Sequence, residues 1–292
     1  MGLGDVLHEP TVTQEGLVLA DPTDKIRADF LARADGTCFT FDMEILRGEL
    51  ARVFQDRPGC LIFGRDGNPL HALEQQTALF TIPLEAHTHP RETLFNALGG
   101  RIVALRPDLA RSRTGAYISI CESSSKKSVF DGCESMTITQ QQNLLPSLFN
   151  GVGGESARVI AGMCVADDFY MQSIAQVKAQ RWTTLGVRSV LLGDAACCPS
   201  PISGFGTTTT ITGAYILAGE NNARLGERHG RKMRPVSCQA QRLIPRAPTV
   251  HNARTSWGTE VTHLLFGFIL WSGVARWLEG TVLVSFVDHA KF

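Results

Sequence analysis

Charge of one sign is missing from this sequence: its 292 residues carry 28 Lys and Arg against 28 Asp and Glu. A balanced chain has no general electrostatic reason to bind nucleic acid or an acidic membrane surface. Cysteine pairs at metal or redox spacing are missing too. None of the eight cysteines stands in a C-x-x-C arrangement, and Cys197 and Cys198 are adjacent, a poor geometry for bridging each other. They read as the reduced, small apolar residues of an intracellular, cytoplasmic protein. Residues 1–8 offer neither the basic stretch nor the apolar core of a secretory signal. Long apolar runs are scarce. Residues 264–275 and 281–287 are apolar, but Arg276 and Glu279 separate them, and neither run reaches the roughly 20 residues that a spanning helix needs. The expectation there is a docked helix, with weak membrane association through the C terminus as the alternative. No internal repeat or long low-complexity tract is visible.

What is present is a globular composition. Hydrophobic residues make up 43% of the chain, ample to offset chain entropy, and the length allows about two domains at roughly 150 residues each. The first 35 residues are polar and punctuated by Pro and Asp, with one apolar patch at 17–20. Residues 39–41 read as a short strand. Residues 43–54 place Ile45, Leu46, Leu50, Val53 and Phe54 at helical spacing behind Asp42 as a cap. From 79 to 120 the pattern changes: 79–82, 102–106 and 116–120 are short apolar or alternating runs broken by Pro83, Gly99-Gly100, Pro107 and Gly115. This predicts an antiparallel platform. Residues 123–128 form a polar loop, and 143–149 and 156–164 are predicted helices, the first kinked at Pro146.

The densest signal lies between 187 and 220. Residues 187–194 form a β-branched, apolar run suited to a buried parallel strand, ending at Gly193-Asp194. The turn Pro199-Ser-Pro-Ile-Ser-Gly-Phe-Gly206 follows, and residues 207–220 read as a helix with Ile211, Ala214, Tyr215 and Ala218 on one face. A strand ending in Asp, a glycine-rich turn and a helix N-terminus make a site for an anion or a polar cofactor. Gly204 and Gly206 let a ring approach the backbone, and free N–H groups with the positive helix end face the same space. Asp194 stands where open α/β sheets receive ligands and is suited to accept hydroxyl hydrogen bonds. A tight connection with no ligand is the alternative reading.

At these residues the chain resembles a known family. Gly193-Asp194-Ala195-Ala196 followed by Pro201-Ile202-Ser203-Gly204-Phe205-Gly206 is similar to the second FAD motif of the single-component, FAD-dependent aromatic hydroxylases. This is the para-hydroxybenzoate hydroxylase-like and tetracycline-monooxygenase-like family. Upstream, Glu44-Ile-Leu-Arg47-Gly-Glu-Leu50 resembles the family's R-x-x-L helix start. Ala166-Asp-Asp-Phe-Tyr170, Gln176-Val177 and Arg181-Trp182 look like the return from its substrate sheet. The likeness covers roughly residues 35–235. It implies FAD as cofactor, NADPH as reductant, and insertion of one oxygen atom into an aromatic or polycyclic small molecule of secondary metabolism. It also implies cofactor contacts from Arg47, Asp194, Pro201, Gly204, Phe205 and Gly206. It assigns no catalytic nucleophile.

The family's opening G-x-G-x-x-G turn, which cradles the ADP pyrophosphate, is not among the 292 residues. Its middle Asp-Gly motif is missing as well, since Ala34-Asp35-Gly36 comes too early and Arg65-Asp66-Gly67 lacks a preceding strand. Residues 64–76 read as a join across absent sequence. The resemblance therefore implies the isoalloxazine half of a flavin site without its ADP half. The expected class is α/β: an incomplete FAD-binding Rossmann-like domain with an antiparallel β-sheet substrate domain and C-terminal helices. The segments are 1–76 (remnant of the FAD domain), 77–180 (substrate sheet), 181–225 (second FAD segment) and 226–292 (helical). A truncated, non-catalytic relative that binds small molecules or pairs with an intact flavoenzyme is the alternative. Halogenation is disfavoured, because Phe80-Thr-Ile-Pro83 has no tryptophan and no W-x-W occurs. His87-x-His89 lacks a third ligand and reads as a polar loop rather than a metal site.

Overall fold

Alternation sets the centre of the molecule. In the strand Arg113–Cys121, Thr114, Ala116 and Ile118 are buried on one face while Gly115 and Tyr117 turn to the other, the two-residue period of a pleated strand. The computed structural model describes residues 11–13, 16–21, 23–31, 43–45, 70–108, 112–121, 129–180, 182–183, 190–201, 206–219, 225–242, 257–258, 261 and 264. Its strands are β1 (Thr11–Thr13), β2 (Gly16–Ala20), β3 (Ile26–Leu31), β4 (Met43–Ile45), β5 (Leu70–Pro83), β6 (Glu92–Ala97), β7 (Arg101–Asp108), β8 (Arg113–Cys121) and β9 (Tyr170–Val177). Its helices are α1 (Ile138–Phe149), α2 (Ser156–Met163), α3 (Asp194–Cys197), α4 (Gly206–Gly219) and α5 (Leu225–Arg242).

Seven strands form one sheet in the order β3-β2-β6-β7-β8-β5-β9, and β1 pairs with β4 separately. Every pairing in the large sheet is antiparallel except β2 with β6. The expected platform strands at 79–82, 102–106 and 116–120 lie within β5, β7 and β8. β5 starts earlier than its apolar pattern, because Leu70–Ala72 pair with the end of β9 across an irregularity at Ala72/Gln75. Glu74 takes a positive φ of 55° there, and this breaks the alternation by which the strand is read.

Register places Ala78, Phe80, Ile82, Phe95, Val103, Leu105, Ala116 and Ile118 in one buried cluster with Leu145 and Phe149 of α1 and Val159 and Met163 of α2. Thr137 and Gln140 form a reciprocal capping box that starts α1. The helix runs continuously through Pro146. α2 lies very close to the sheet: a Cβ on Gly162 would stand 2.5 Å from Ile82 Cγ2, so only glycine fits. A second, smaller cluster joins Trp182, Ala196, Cys197, Ile216 and Met233 beneath α3, α4 and α5.

Three local expectations change. Met43–Ile45 is a strand paired with Thr11–Thr13 rather than the start of a helix; that neighbour satisfies its backbone, as a β-branched Ile45 favours. Residues 39–42 and 46–54 lie outside the described set, as do the loop 123–128 and the apolar runs after Leu264. In α4 the packed face is Thr209, Gly213 and Ile216, while Ile211, Ala214, Tyr215 and Ala218 are all exposed. The small residues win the interface because α5 approaches closely there, with Gly213 against His229 and Met233. Finally, Val190 makes an isolated antiparallel bridge to Thr183, and Val190, Leu191 and Leu192 are half-buried. Among the described residues no parallel strand lies beside Val190–Leu192; residues 187–189 of the expected strand lie outside the described residues. No helix of the described residues is long and apolar enough to cross a membrane.

Candidate functional site

The turn that carries the expected site is held from three sides. β9 supplies the first: Val177 N–H donates to Cys198 O (3.1 Å) and Ala179 N–H to Ala196 O (3.2 Å). The backbone N–H groups of Ala196 and Cys197 both donate to Gly193 O at 3.0 Å, closing α3 as a single turn. Gly193 has φ +58°, and a Cβ there would meet Thr210 Oγ1 at 2.9 Å. Two independent demands therefore require glycine before Asp194, a left-handed backbone and room for the first turn of α4. α4 is the second support. The Oγ1 hydroxyls of Thr209 and Thr210 both donate to Gly206 O at 2.9 Å. The threonine hydroxyls at the entry thus find their partner within the first turn.

α5 is the third support. Trp182 packs against His229, ring centroids 5.6 Å apart, and beneath the Arg234 guanidinium at 5.9 Å. Arg234 also donates to Gln180 O, and Trp182 Nε1 donates to Ala179 O (3.1 Å). His229 is fully buried and neither ring nitrogen has a hydrogen-bond partner; burial lowers its pKa below the usual imidazole value. Burial likewise pushes the Cys197 thiol up to about 11, so it is an inert apolar group rather than a nucleophile.

Of the residues expected to touch the cofactor, Asp194 opens α3 and is exposed, Pro201 is exposed at the end of the same turn, and Gly206 is the first residue of α4. The fold thus brings these three onto one connected segment. Arg47, Gly204 and Phe205 lie outside the described residues. Among the described residues, a Cβ built on Gly206 meets nothing within 4 Å. Ser200, buried between Pro199 and Pro201, has φ 83°, the kind of backbone strain that collects at binding turns.

The sheet face turned away from α1 and α2 carries a polar set. Arg106 donates to Tyr117 Oη (3.1 Å) and to both oxygens of Glu92 (3.2 Å each), and its guanidinium lies 5.1 Å from the Tyr117 ring centroid. Thr77 Oγ1 and Ser119 Oγ share a 2.9 Å hydrogen bond on the same face. Asn96 is buried there with both amide atoms unpartnered. In the histidine pair, His87 Nε2 lies 3.1 Å from Glu155 and Nδ1 3.4 Å from Glu85, while His89 Nδ1 accepts from Arg91 N–H. Among the described residues no three His, Cys, Asp or Glu side chains are grouped to hold a metal ion.

Sequence reasoning missed Gln241 and His229, buried polar groups behind the turn, and named Gln176 only as part of the return from the sheet. A buried amide or imidazole has no spacing signature, and the only cue was a polar residue inside an apolar helical period on α5.

Comparison with known proteins agrees with this geometry. No protein-family model matches the chain. A "Flavin-dependent monooxygenase" from an unknown prokaryotic organism is 34% identical over 160 residues, 55% of this chain and 39% of the relative. "Monooxygenase CTB7" of Cercospora beticola is 26% identical over 346 residues, covering 96% of this chain and 82% of the relative. Among solved structures, tetracycline destructase Tet(51) superposes with a TM-score of 0.67 at 20% identity, covering 92% of this chain and 82% of that one. HpxO of Klebsiella pneumoniae, complexed with FAD and uric acid, gives 0.69 at 14% identity, with 94% and 82% covered. The fold is that of the single-component FAD hydroxylases. In sequence the chain is similar to proteins named as flavin-dependent monooxygenases. It spans 39% of the length of the first curated relatives it matches. The match to the Cercospora protein runs over 346 positions, more than the 292 residues of this chain, so that relative has residues inside the match that this chain lacks.

Proposed function

We propose that this chain is an FAD-dependent monooxygenase of the aromatic-hydroxylase type, acting on an aromatic or polycyclic small molecule in secondary metabolism. The observation that carries this reading is the Gly193-Asp194 turn leading through Pro201 into α4, combined with relatives named as flavin-dependent monooxygenases. FAD, reduced by NADPH, supplies the oxygen-transfer chemistry when bound. The residues of this chain bind and orient it. Asp194 accepts hydrogen bonds from the ribityl hydroxyls. The N-terminus of α4 at Gly206 stabilises negative charge on the flavin ring, as an oxyanion hole does. Pro201, Gly204 and Phe205 shape the turn against the ring, and Arg47 brings a fixed positive charge towards the ribityl–phosphate chain. The substrate lies against the sheet face that carries Arg106 and Tyr117. The secondary-metabolism reading rests on fungal relatives such as the Cercospora protein and "FAD-dependent monooxygenase asL6" of Sarocladium schorii.

The test is direct. Purified chain mixed with FAD should acquire flavin absorbance and oxidise NADPH faster when an aromatic substrate is added. A folded chain that binds aromatic compounds but neither flavin nor NADPH would support a non-catalytic binding protein instead.

A further inference from the structure

We infer that Gln241, acting with Gln176, is a positioning residue that fixes the cofactor-binding turn; the inference deepens the flavin reading above and rests on it. Gln176, near the end of β9, has no exposed surface, and Gln241, in the last turn of α5, is 7% exposed. Gln241 Nε2 donates to Val177 O (2.6 Å) and Cys198 O (3.2 Å), with the Cys197 sulfur at 3.5 Å. Gln176 Nε2 donates in turn to Gln241 O (3.0 Å) and lies 3.4 Å from Pro199 O. Two buried amides thus tie together three pieces distant in sequence: the end of β9, the end of α5, and the Cys198-Pro199 stretch that connects Asp194 to Pro201.

The backbone alone does not hold this stretch on the α5 side. α3 is one turn long, and its C-cap at Cys198 is extended, so the carbonyls of 198 and 199 point away from any helical partner. Buried carbonyls must find donors: Cys198 O takes Val177 N–H from β9 and, in addition, the Gln241 amide of α5, while the Gln176 amide lies 3.4 Å from Pro199 O. Unlike a lysine or a hydroxyl, a primary amide offers two N–H groups from one planar head. Gln241 can therefore bond the strand and the turn at once and fix their separation. Loss of that head frees the turn to shift, and a shift at 198–199 moves Asp194 relative to Gly206.

The test uses Gln241→Met, which keeps length and bulk but removes both donors, alongside the unaltered chain. Amide exchange without flavin reads the clamp itself: Ala179 and Ala196 should exchange roughly tenfold faster in the variant, the loss of about one net hydrogen bond. Flavin titration reads positioning: the Kd for FAD should rise roughly tenfold while far-UV circular dichroism is unchanged. Faster exchange with FAD affinity equal to the parent's would overturn the positioning role and leave a purely structural tie. Unchanged exchange would overturn the clamp. If the unaltered chain takes up no flavin, the functional reading fails by itself, and the exchange result still decides the clamp. Should Gln241→Met not fold, Gln176→Leu is put through the same pair of measurements, judged by the same outcomes.

Discussion

The sheet with α1 and α2 and the helical unit of α3, α4 and α5 solve the burial problem differently. The sheet half puts most of its large apolar side chains into one cluster spanning four central strands and two helices. The helical half gathers five buried residues into a smaller cluster and leaves Ile211 and Tyr215 of α4 more than half exposed. It holds its turn with buried polar groups instead, the two glutamines and the tightly packed Gly193. The first half is a platform stabilised by apolar area. The second is a ligand turn stabilised by hydrogen bonds, where small displacements matter more than total stability.

That contrast can be broken by truncating one core residue in each half. Phe149→Ala, in the sheet half, should cost about 3–5 kcal/mol in denaturant unfolding and threaten the fold. Met233→Ala, in the helical half, should cost about 2 kcal/mol, the low end for such a truncation, because fewer apolar neighbours surround it. Equal losses would mean that the helical unit is packed as well as the sheet. The reverse ranking is expected for cofactor binding. Asp194→Ala removes an exposed carboxylate and should leave unfolding unchanged within about 0.5 kcal/mol. It should weaken FAD binding by about 1–3 kcal/mol in a calorimetric titration. Unchanged affinity would remove Asp194 from the site.

Acid sharpens the comparison further. Burial disfavours the Asp21 carboxylate, but the hydrogen bonds from Thr23, Arg27 and Lys25 outweigh this and hold its pKa far below the usual carboxylate range. A depressed carboxylate contributes stability above its unfolded pKa, lost as pH falls below about 4. In the helical half, buried His229 refuses a proton that the unfolded chain accepts, so its contribution begins to fall as pH drops through about 6.5. The melting temperature of the helical half, followed by Trp182 fluorescence in a chain with Trp257, Trp271 and Trp277 changed to Phe, should therefore decline at higher pH than that of the sheet half. His229→Phe should flatten the decline near 6.5, and an unaltered profile would show that His229 is not its source. This is the smallest expected effect.

The sequence disclosed these halves unequally. Strands β7 and β8 were legible because alternation and Gly/Pro breaks coincide with pairing on both sides. The start of the Asp194–Gly206 turn was legible because Gly193 is demanded by backbone shape, a positive φ and the nearby Thr210. The packed face of α4 was not. Apolar periodicity selected Ile211 and Tyr215, whereas close helix approach selected Thr209 and Gly213, and smallness leaves no mark in a hydropathy pattern. Met43–Ile45 was misread for a related reason: three residues are too few to show a period, and the pairing with Thr11–Thr13 that decides their state is distant in sequence. Gln176 and Gln241 were invisible as a pair because 65 positions separate them.

The central claim is that this chain grips the isoalloxazine and ribityl half of the cofactor through Asp194 and the α4 N-terminus, without the glycine turn that would grip the ADP half. Parallel calorimetric titrations with FAD and with riboflavin measure this most directly. The account predicts that both bind, with affinities within about tenfold of each other, a difference of about 1.4 kcal/mol, and with FAD no tighter than about micromolar. FAD binding a hundredfold tighter than riboflavin, or no binding of either, would contradict it.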